Sequence, residues 1–314
     1  MKDLDLDRLK LRLRLPVIAA PMFLVSDPKL TIACCKAGIV GSFPSANART
    51  PEIFEAWLHQ IKRDLADVAD AAPYAVNLIV AGAGAPRFAA DLQVIESNEP
   101  PIVITSVGPP GEVVRRVHAY GGLVFHDVAT LRHAEKAAEQ GVDGLIVLTA
   151  GSGGHTGWAN PFAIVPQIRR QWDGAILLAG AISDGSGIAA AQTLGADFAY
   201  MGTRFAATQE SDASPEYKAL LVSQAMADVV TTDRISGMMA NYLRGSIERV
   251  GLDPSSLPPT AGFLKPTIPD HLKAWRDIWG AGHGVGLIED IPSVSELVER
   301  LREEYVRASS GGRT

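Results

Sequence analysis

Eight short, almost unbroken apolar runs constrain this chain more than any other feature. They are PVIAAP (16–21), GIVGSF (38–43), YAVNLIV (74–80), PIVITS (101–106), GLVFHD (122–127), GLIVLT (144–149), AILLAG (175–180) and FAYMG (198–202). A strand with one wet face alternates apolar and polar residues. Runs without that alternation suit parallel strands buried on both faces. Amphipathic segments with helical spacing lie between them, among them 51–68, 111–120 and 129–140. Strands and helices alternating eight times predict an α/β fold, a (β/α)8 TIM barrel. An open doubly wound sheet is the alternative.

After the eighth run the pattern changes. PEYKALLVSQAMADVV has helical character, 253–270 is proline-rich and irregular, and 293–310 reads as a closing amphipathic helix. The expected organisation is a barrel over 1–212 and 286–314, with a smaller, mostly helical cap or substrate domain over 213–285.

Charge and cysteine content narrow the function classes. The formal net charge is −6, with no basic stripe, so nucleic acid is not an expected partner. The two cysteines, Cys34 and Cys35, are adjacent. They are too few for a disulfide framework or a typical zinc site, and no metal is expected. No run approaches the roughly 20 apolar residues of a membrane span. The N-terminal stretch alternates charged and apolar residues rather than carrying a secretory apolar core. A cytoplasmic protein away from membranes is expected, its oligomeric state open.

In such a barrel the working face lies at the C-terminal ends of the strands. The seventh run leads into AGAISDGSG (179–187) and the eighth into MGTRFAAT (201–208). Either loop alone reads as an ordinary strand-to-helix turn. Together, at these two positions, they point to a phosphate, with N–H donors from Gly180, Ala181, Gly202 and Thr203 and a hydroxyl from Thr203. Asn77 stands among apolar neighbours, either bridging two edges of a heterocycle or satisfied inside the barrel. Thr105–Ser106 and His126–Asp127 end the fourth and fifth runs and are candidates for a ring contact or a pocket wall. After the sixth run comes TAGSGGHTGW (149–158), four glycines around one histidine. The glycines allow the backbone to skirt a flat ligand. His155 has an ordinary pKa near 6.5 and exchanges a proton at neutral pH. The expected role is catalytic.

These residues resemble the nitronate monooxygenase family, formerly the 2-nitropropane dioxygenases. The matching pieces are APM (20–22), VNL (76–78), GSGGHTG (151–157), LLAGAISDG (177–185), YMGTRF (200–205) and WGAGHGVGLIED (279–290). The resemblance implies an FMN-dependent barrel with a helical cap, acting on a nitronate or nitroalkane with O2, and His155 as the active-site histidine. It implies that Ala20 and Met22 lie against the flavin and that Asn77 bonds its pyrimidine side. Gly180, Gly202 and Thr203 would hold the phosphate, and Gly151, Ser152 and Gly153 would line the approach. His126 is placed with the cofactor. Apart from the resemblance, GMMANYL (237–243) offers Met238, Met239 and Tyr242 as an adaptable apolar lid, and Phe23, Met239, Tyr242 and His283 are placed in the substrate pocket. Two features depart from the family: many relatives have Gln where His283 stands, and some have Lys after the histidine equivalent to His126. Both leave substrate choice more open than cofactor choice.

Three other readings are compatible with parts of this pattern. An FMN-dependent NAD(P)H reductase of the quinone or enoyl-acyl-carrier type would show NADH turnover. A flavin-free phosphate-binding lyase or isomerase would be colourless, and an inert flavoprotein would tolerate loss of His155.

Overall fold

All eight runs become strands of one parallel sheet. The computed structural model describes residues 4–80, 84–260 and 262–311. Its barrel strands are β1 (Val17–Ala19), β2 (Gly41–Pro44), β3 (Tyr74–Ile79), β4 (Ile102–Ser106), β5 (Leu123–Val128), β6 (Gly144–Leu148), β8 (Ala175–Ala179) and β9 (Phe198–Met201). A two-residue strand, β7 (Gly154–His155), interrupts the loop after β6. Neighbours run β1-β9-β8-β6-β5-β4-β3-β2. A parallel bridge between Ile18 and Val40 joins the two ends, with Ala19 N–H donating to the Val40 carbonyl at 2.8 Å. The sheet therefore closes on itself, and the open doubly wound alternative is excluded.

Burial on both faces explains the unbroken apolar runs. Side chains alternate across each strand. Ile18, Ile104, Phe125, Ile146, Leu177 and Tyr200 fill the barrel interior. Val76, Val103, Val124, Val147 and Leu178 face the helices. Each fully buried side chain of this kind contributes about 1.5–3 kcal/mol. Leu4 and Leu9 join the interior cluster. The helix Leu6–Leu11, capped by Asp5, thus turns the charged-apolar alternation of the N-terminus into a barrel plug.

The amphipathic segments form helices with shifted ends. The first is Pro51–Leu65, capped by Thr50 and burying Phe54, Leu58 and Ile61. The others are Gly111–His118 and Leu131–Glu139. The last begins late because Thr130 is its N-cap, its hydroxyl accepting from the His133 N–H at 3.1 Å. The closing helix, Val294–Ser309, starts at a Ser293–Glu296 capping box. It lies on helix Gly185–Leu194, so close that a β-carbon on Gly185 would stand 2.2 Å from the Tyr305 nitrogen.

Residues 213–285 hold more helix than strand, but also a ladder that the helical spacing did not reveal. The helix expected through Val230 stops at Ser223. Val229–Thr232 forms β10 and Ala240–Leu243 forms β11. The β-branched run Val229-Val230-Thr231-Thr232 favours the extended chain. β11 pairs antiparallel with β10 on one edge and with β7 on the other, Ala240 facing His155 and Asn241 facing Gly154. No helix among the described residues is long and apolar enough to cross a membrane.

Candidate active site

A cavity of about 910 Å³ opens at the C-terminal ends of the barrel strands. Inward-facing residues from three adjacent strands give it one polar side. Asn77 on β3 donates both amide hydrogens, to the Ile104 carbonyl at 3.2 Å and the Ser106 hydroxyl at 2.8 Å. Ser106 on β4 donates onward to Asp127 Oδ2 at 2.5 Å. The other carboxylate oxygen of Asp127 is buried and has no partner among the described residues. Burial pushes the Asp127 carboxyl up to about 6, against the lowering pull of Ser106. What Asn77 can still offer a ligand is its carbonyl, so it does not bridge a donor and an acceptor as a free amide would.

His126 is one residue out of phase. It borders the cavity, but from the outward face of β5, where its Nδ1 is 2.8 Å from the Thr105 hydroxyl. Burial brings it down to about 4, with nearby His133 adding to the shift, so it is neutral at pH 7. The inward partner in that pair is Asp127. Strand alternation carried this signal, which the mixed HD ending of the run obscured.

Across the mouth lie the loops after β8 and β9. The N–H groups of Gly180, Ala181, Gly202 and Thr203 have no acceptor among the described residues. Gly180 has φ +134° and Ala181 φ +57°, both in the left-handed region. The following helix, Gly185–Leu194, is already closed by Asp184 and Glu304, which accept from Gly187 and Gly185. The open donors therefore belong to the loops themselves, not to that helix end. The Thr203 hydroxyl accepts from the Gly282 N–H at 2.9 Å, leaving its own proton to donate. A β-carbon on Gly202 would meet Ala20 and Met22 at an ordinary 3.6 Å.

The glycine–histidine loop is shaped mainly by the protein's own crowding. Gly151 and Gly154 adopt φ +96° and +72°. A β-carbon on Gly153 would lie 2.8 Å from the Gly282 nitrogen, and one on Gly157 only 2.1 Å from the Leu148 carbonyl. Ser152 borders the cavity, but its hydroxyl is turned back onto the Thr149 and Ala179 carbonyls, each at 2.9 Å. The loop thereby holds His155 at the cavity wall. Its ring stands edge-on to Trp275, centroids 5.3 Å apart and planes at 86°. Its Nε2 is buried and has no partner among the described residues. Burial lowers its pKa below the ordinary 6.5, so the ring is neutral at pH 7.

The remaining expected residues divide. Ala20, Met22, Gly151 and Gly153 line the cavity, and Phe23 stands half-exposed at its rim. Met239, Tyr242 and His283 do not line it. Met238 does, and Met239 is exposed elsewhere. Tyr242 is fully buried, stacked on Trp275 at 4.9 Å. His283 backs the loop: its N–H donates to the Gly151 carbonyl at 2.9 Å and its ring lies against Gly151. Its glycine neighbours, Gly282 and Gly284, reach the cavity instead. Trp275 had no local signal in the sequence; a non-adjacent segment brings it to His155.

The comparisons with known proteins agree with the fold. The nitronate monooxygenase family model matches residues 8–304. A nitronate monooxygenase from Paraburkholderia phytofirmans is 28% identical over 336 aligned positions, covering 92% of each chain. A (3aS,4S,5R,7aS)-5-hydroxy-7a-methyl-1-oxo-octahydro-1H-indene-4-carboxyl-CoA dehydrogenase from Rhodococcus jostii is 30% identical over 223 residues, covering 71% of this chain. The match spans 61% of that dehydrogenase's length. Among solved structures, a nitroalkane oxidase from Streptomyces ansochromogenes superposes with a TM-score of 0.82 at 25% identity, covering 96% of this chain and 99% of that one. FabK from Thermotoga maritima gives 0.77 at 26%, covering 96% of both. The closed parallel barrel, the paired glycine loops and the histidine at its mouth thus sit in a chain that belongs to the nitronate monooxygenase family of flavin-dependent oxidoreductases.

Proposed function

We propose that this chain binds FMN and oxidises alkyl nitronates with O2 to carbonyl compounds and nitrite, accepting nitroalkanes where His155 removes the proton. The observation that carries the catalytic reading is the buried, unpartnered Nε2 of a neutral His155 at the cavity wall. The residues present fit the cofactor. Four unaccepted loop N–H groups suit one phosphate. Ala20 and Met22 offer an apolar face for the ring, and the Asn77–Ser106–Asp127 row lies across the mouth. When bound, flavin supplies the electron acceptor for the substrate and the route to oxygen; the protein orients and shields. His155 accepts a carbon-bound proton from a neutral nitroalkane, or bonds a nitro oxygen of a preformed nitronate. The structural likeness to FabK favours a second reading, an NAD(P)H-dependent reductase on the same barrel. Steady-state turnover with NADH but not with nitronates would establish it.

The single phosphate cradle supports FMN as the flavin. Chromatography of the flavin released on denaturation should give FMN; FAD, or no flavin even after reconstitution, would overturn the assignment. Gly202→Val should weaken FMN binding about tenfold or more, or at least ~1.4 kcal/mol. The first added carbon has room within the protein at 3.6 Å, so the thermal midpoint of the apoprotein should hardly move.

Substrate size is assigned to Met238 rather than Met239. Met238→Ala should change the ratio of kcat/KM for long over short nitronates, while Met239→Ala leaves that ratio unchanged. Tyr242→Ala should act on stability instead, costing about 3–5 kcal/mol in a urea titration, as other buried aromatics do.

A further inference from the structure

We propose that Asp127 holds the N–H-bearing edge of the flavin's pyrimidine ring, its unpartnered Oδ1 accepting that hydrogen. The assignment rests on the flavin reading above and adds to it a residue that departs from the expected family pattern.

Geometry fixes the carboxyl in place. Ser106 donates to Oδ2, and Asn77 donates to Ser106, so one oxygen is held and the other is left buried without a partner. A buried acceptor without a donor is costly and marks a place where a ligand can supply one. No lysine or arginine among the described residues forms an ion pair with Asp127. From across the barrel Asp127 faces the buried Tyr200, whose hydroxyl pKa its charge helps to raise. His126, its neighbour in sequence, faces the other way toward Thr105.

Topology supplies the direction. In the closed order β1-β9-β8-β6-β5-β4-β3-β2, the loops after β8 and β9 lie opposite β3 and β4, with β5 beside them. A ligand anchored by its phosphate on the first pair of loops presents its far end to Asn77, Ser106 and Asp127. The pyrimidine edge of flavin carries one N–H, at N3. Because both Asn77 hydrogens are already engaged, this side of the cavity offers acceptors, and the Asp127 oxygen is the one left unmatched.

Two flavins and an isosteric variant test this. Apoprotein is titrated with FMN and with 3-methyl-FMN, which lacks the N3 hydrogen, and flavin fluorescence reports Kd. Wild type should bind 3-methyl-FMN at least about tenfold more weakly than FMN. In Asp127→Asn, Ser106 still donates to the amide oxygen, which turns the NH2 toward the ring and sets donor against donor. FMN should then weaken about tenfold or more, and the preference for FMN over the methylated flavin should fall toward one. Steric exclusion alone would leave that preference intact, because Asn and Asp have the same size, and would overturn the proposal. The bound flavin's midpoint potential should also rise in Asp127→Asn, since a carboxylate beside the ring opposes added electrons. An unchanged FMN Kd and potential in the variant would mean a protonated Asp127 donating, and would overturn the acceptor role. Failure of wild type to bind either flavin would instead overturn the flavin reading, and this assignment with it.

Discussion

His155→Asn is expected to lower kcat/KM on neutral nitroalkanes by about 10²–10⁴-fold, the usual loss when a positioned general base is removed. On preformed nitronates the loss should be smaller, about 1.5–3 kcal/mol, as for one charge-assisted hydrogen bond. The asymmetry follows from the site. A nitroalkane must lose a proton, and His155 presents a buried nitrogen with no competing partner to receive it. A nitronate has already lost it. Asparagine keeps a polar group of similar reach but has no basic nitrogen. Equal loss on both substrates would leave only the anion-binding role. A variant that matches wild type on nitronates with FMN bound would make the histidine structural. The pH profile gives a second check. Burial depresses the His155 pKa, so the neutral, proton-accepting form persists below the ordinary value. Nitroalkane kcat/KM should therefore stay level through neutral pH and fall only as pH drops through a value below 6.5. A limb centred above 6.5 would contradict the burial argument.

Gly180→Ala should cost stability and flavin together. The residue sits at φ +134°, and an added β-carbon would lie 2.3 Å from the Thr149 hydroxyl. Left-handed strain contributes about 1–3 kcal/mol, and overpacking typically another 1–3 kcal/mol or so. The expected shift in a urea titration is about 2–6 kcal/mol, with the flavin lost on gel filtration. Adding Thr149→Ala removes the overlap but not the backbone strain, so the double variant should recover only part of the stability. Full recovery would show that the conformation of Gly180 itself is not needed.

The barrel was legible because its strands are wet on neither face. Runs such as GLIVLT and AILLAG have no polar phase to confuse the reading, and all eight matched. The cap was less legible. Val229–Thr232 is short, and its strand pairing depends on Ala240–Leu243 and on Gly154–His155, distant in sequence. At the site, types and loops were readable but phases were not. HD at the end of β5 places one residue outward and one inward, and only the strand register decides which. MM before β11 poses the same problem: Met238 faces the cavity and Met239 does not. Trp275 and Tyr242 form a stack behind His155 that no local pattern announces. In the sequence the glycines point to clearance for a ligand. At Gly153 and Gly157 the nearer obstacle is the protein's own backbone.

The pairing of Ala240 with His155 and of Asn241 with Gly154 makes the histidine part of an edge strand of the β10-β11-β7 sheet. A movement of that sheet away from the barrel would carry the imidazole with it. On the proposed reading, entry of substrate and assembly of the proton acceptor would then be one event rather than two, and a half-open molecule would be idle as well as accessible. On the proposed reading, shortening 213–285 would also disarm the site, because the segment proposed to limit which substrates enter is the one paired with the proposed base.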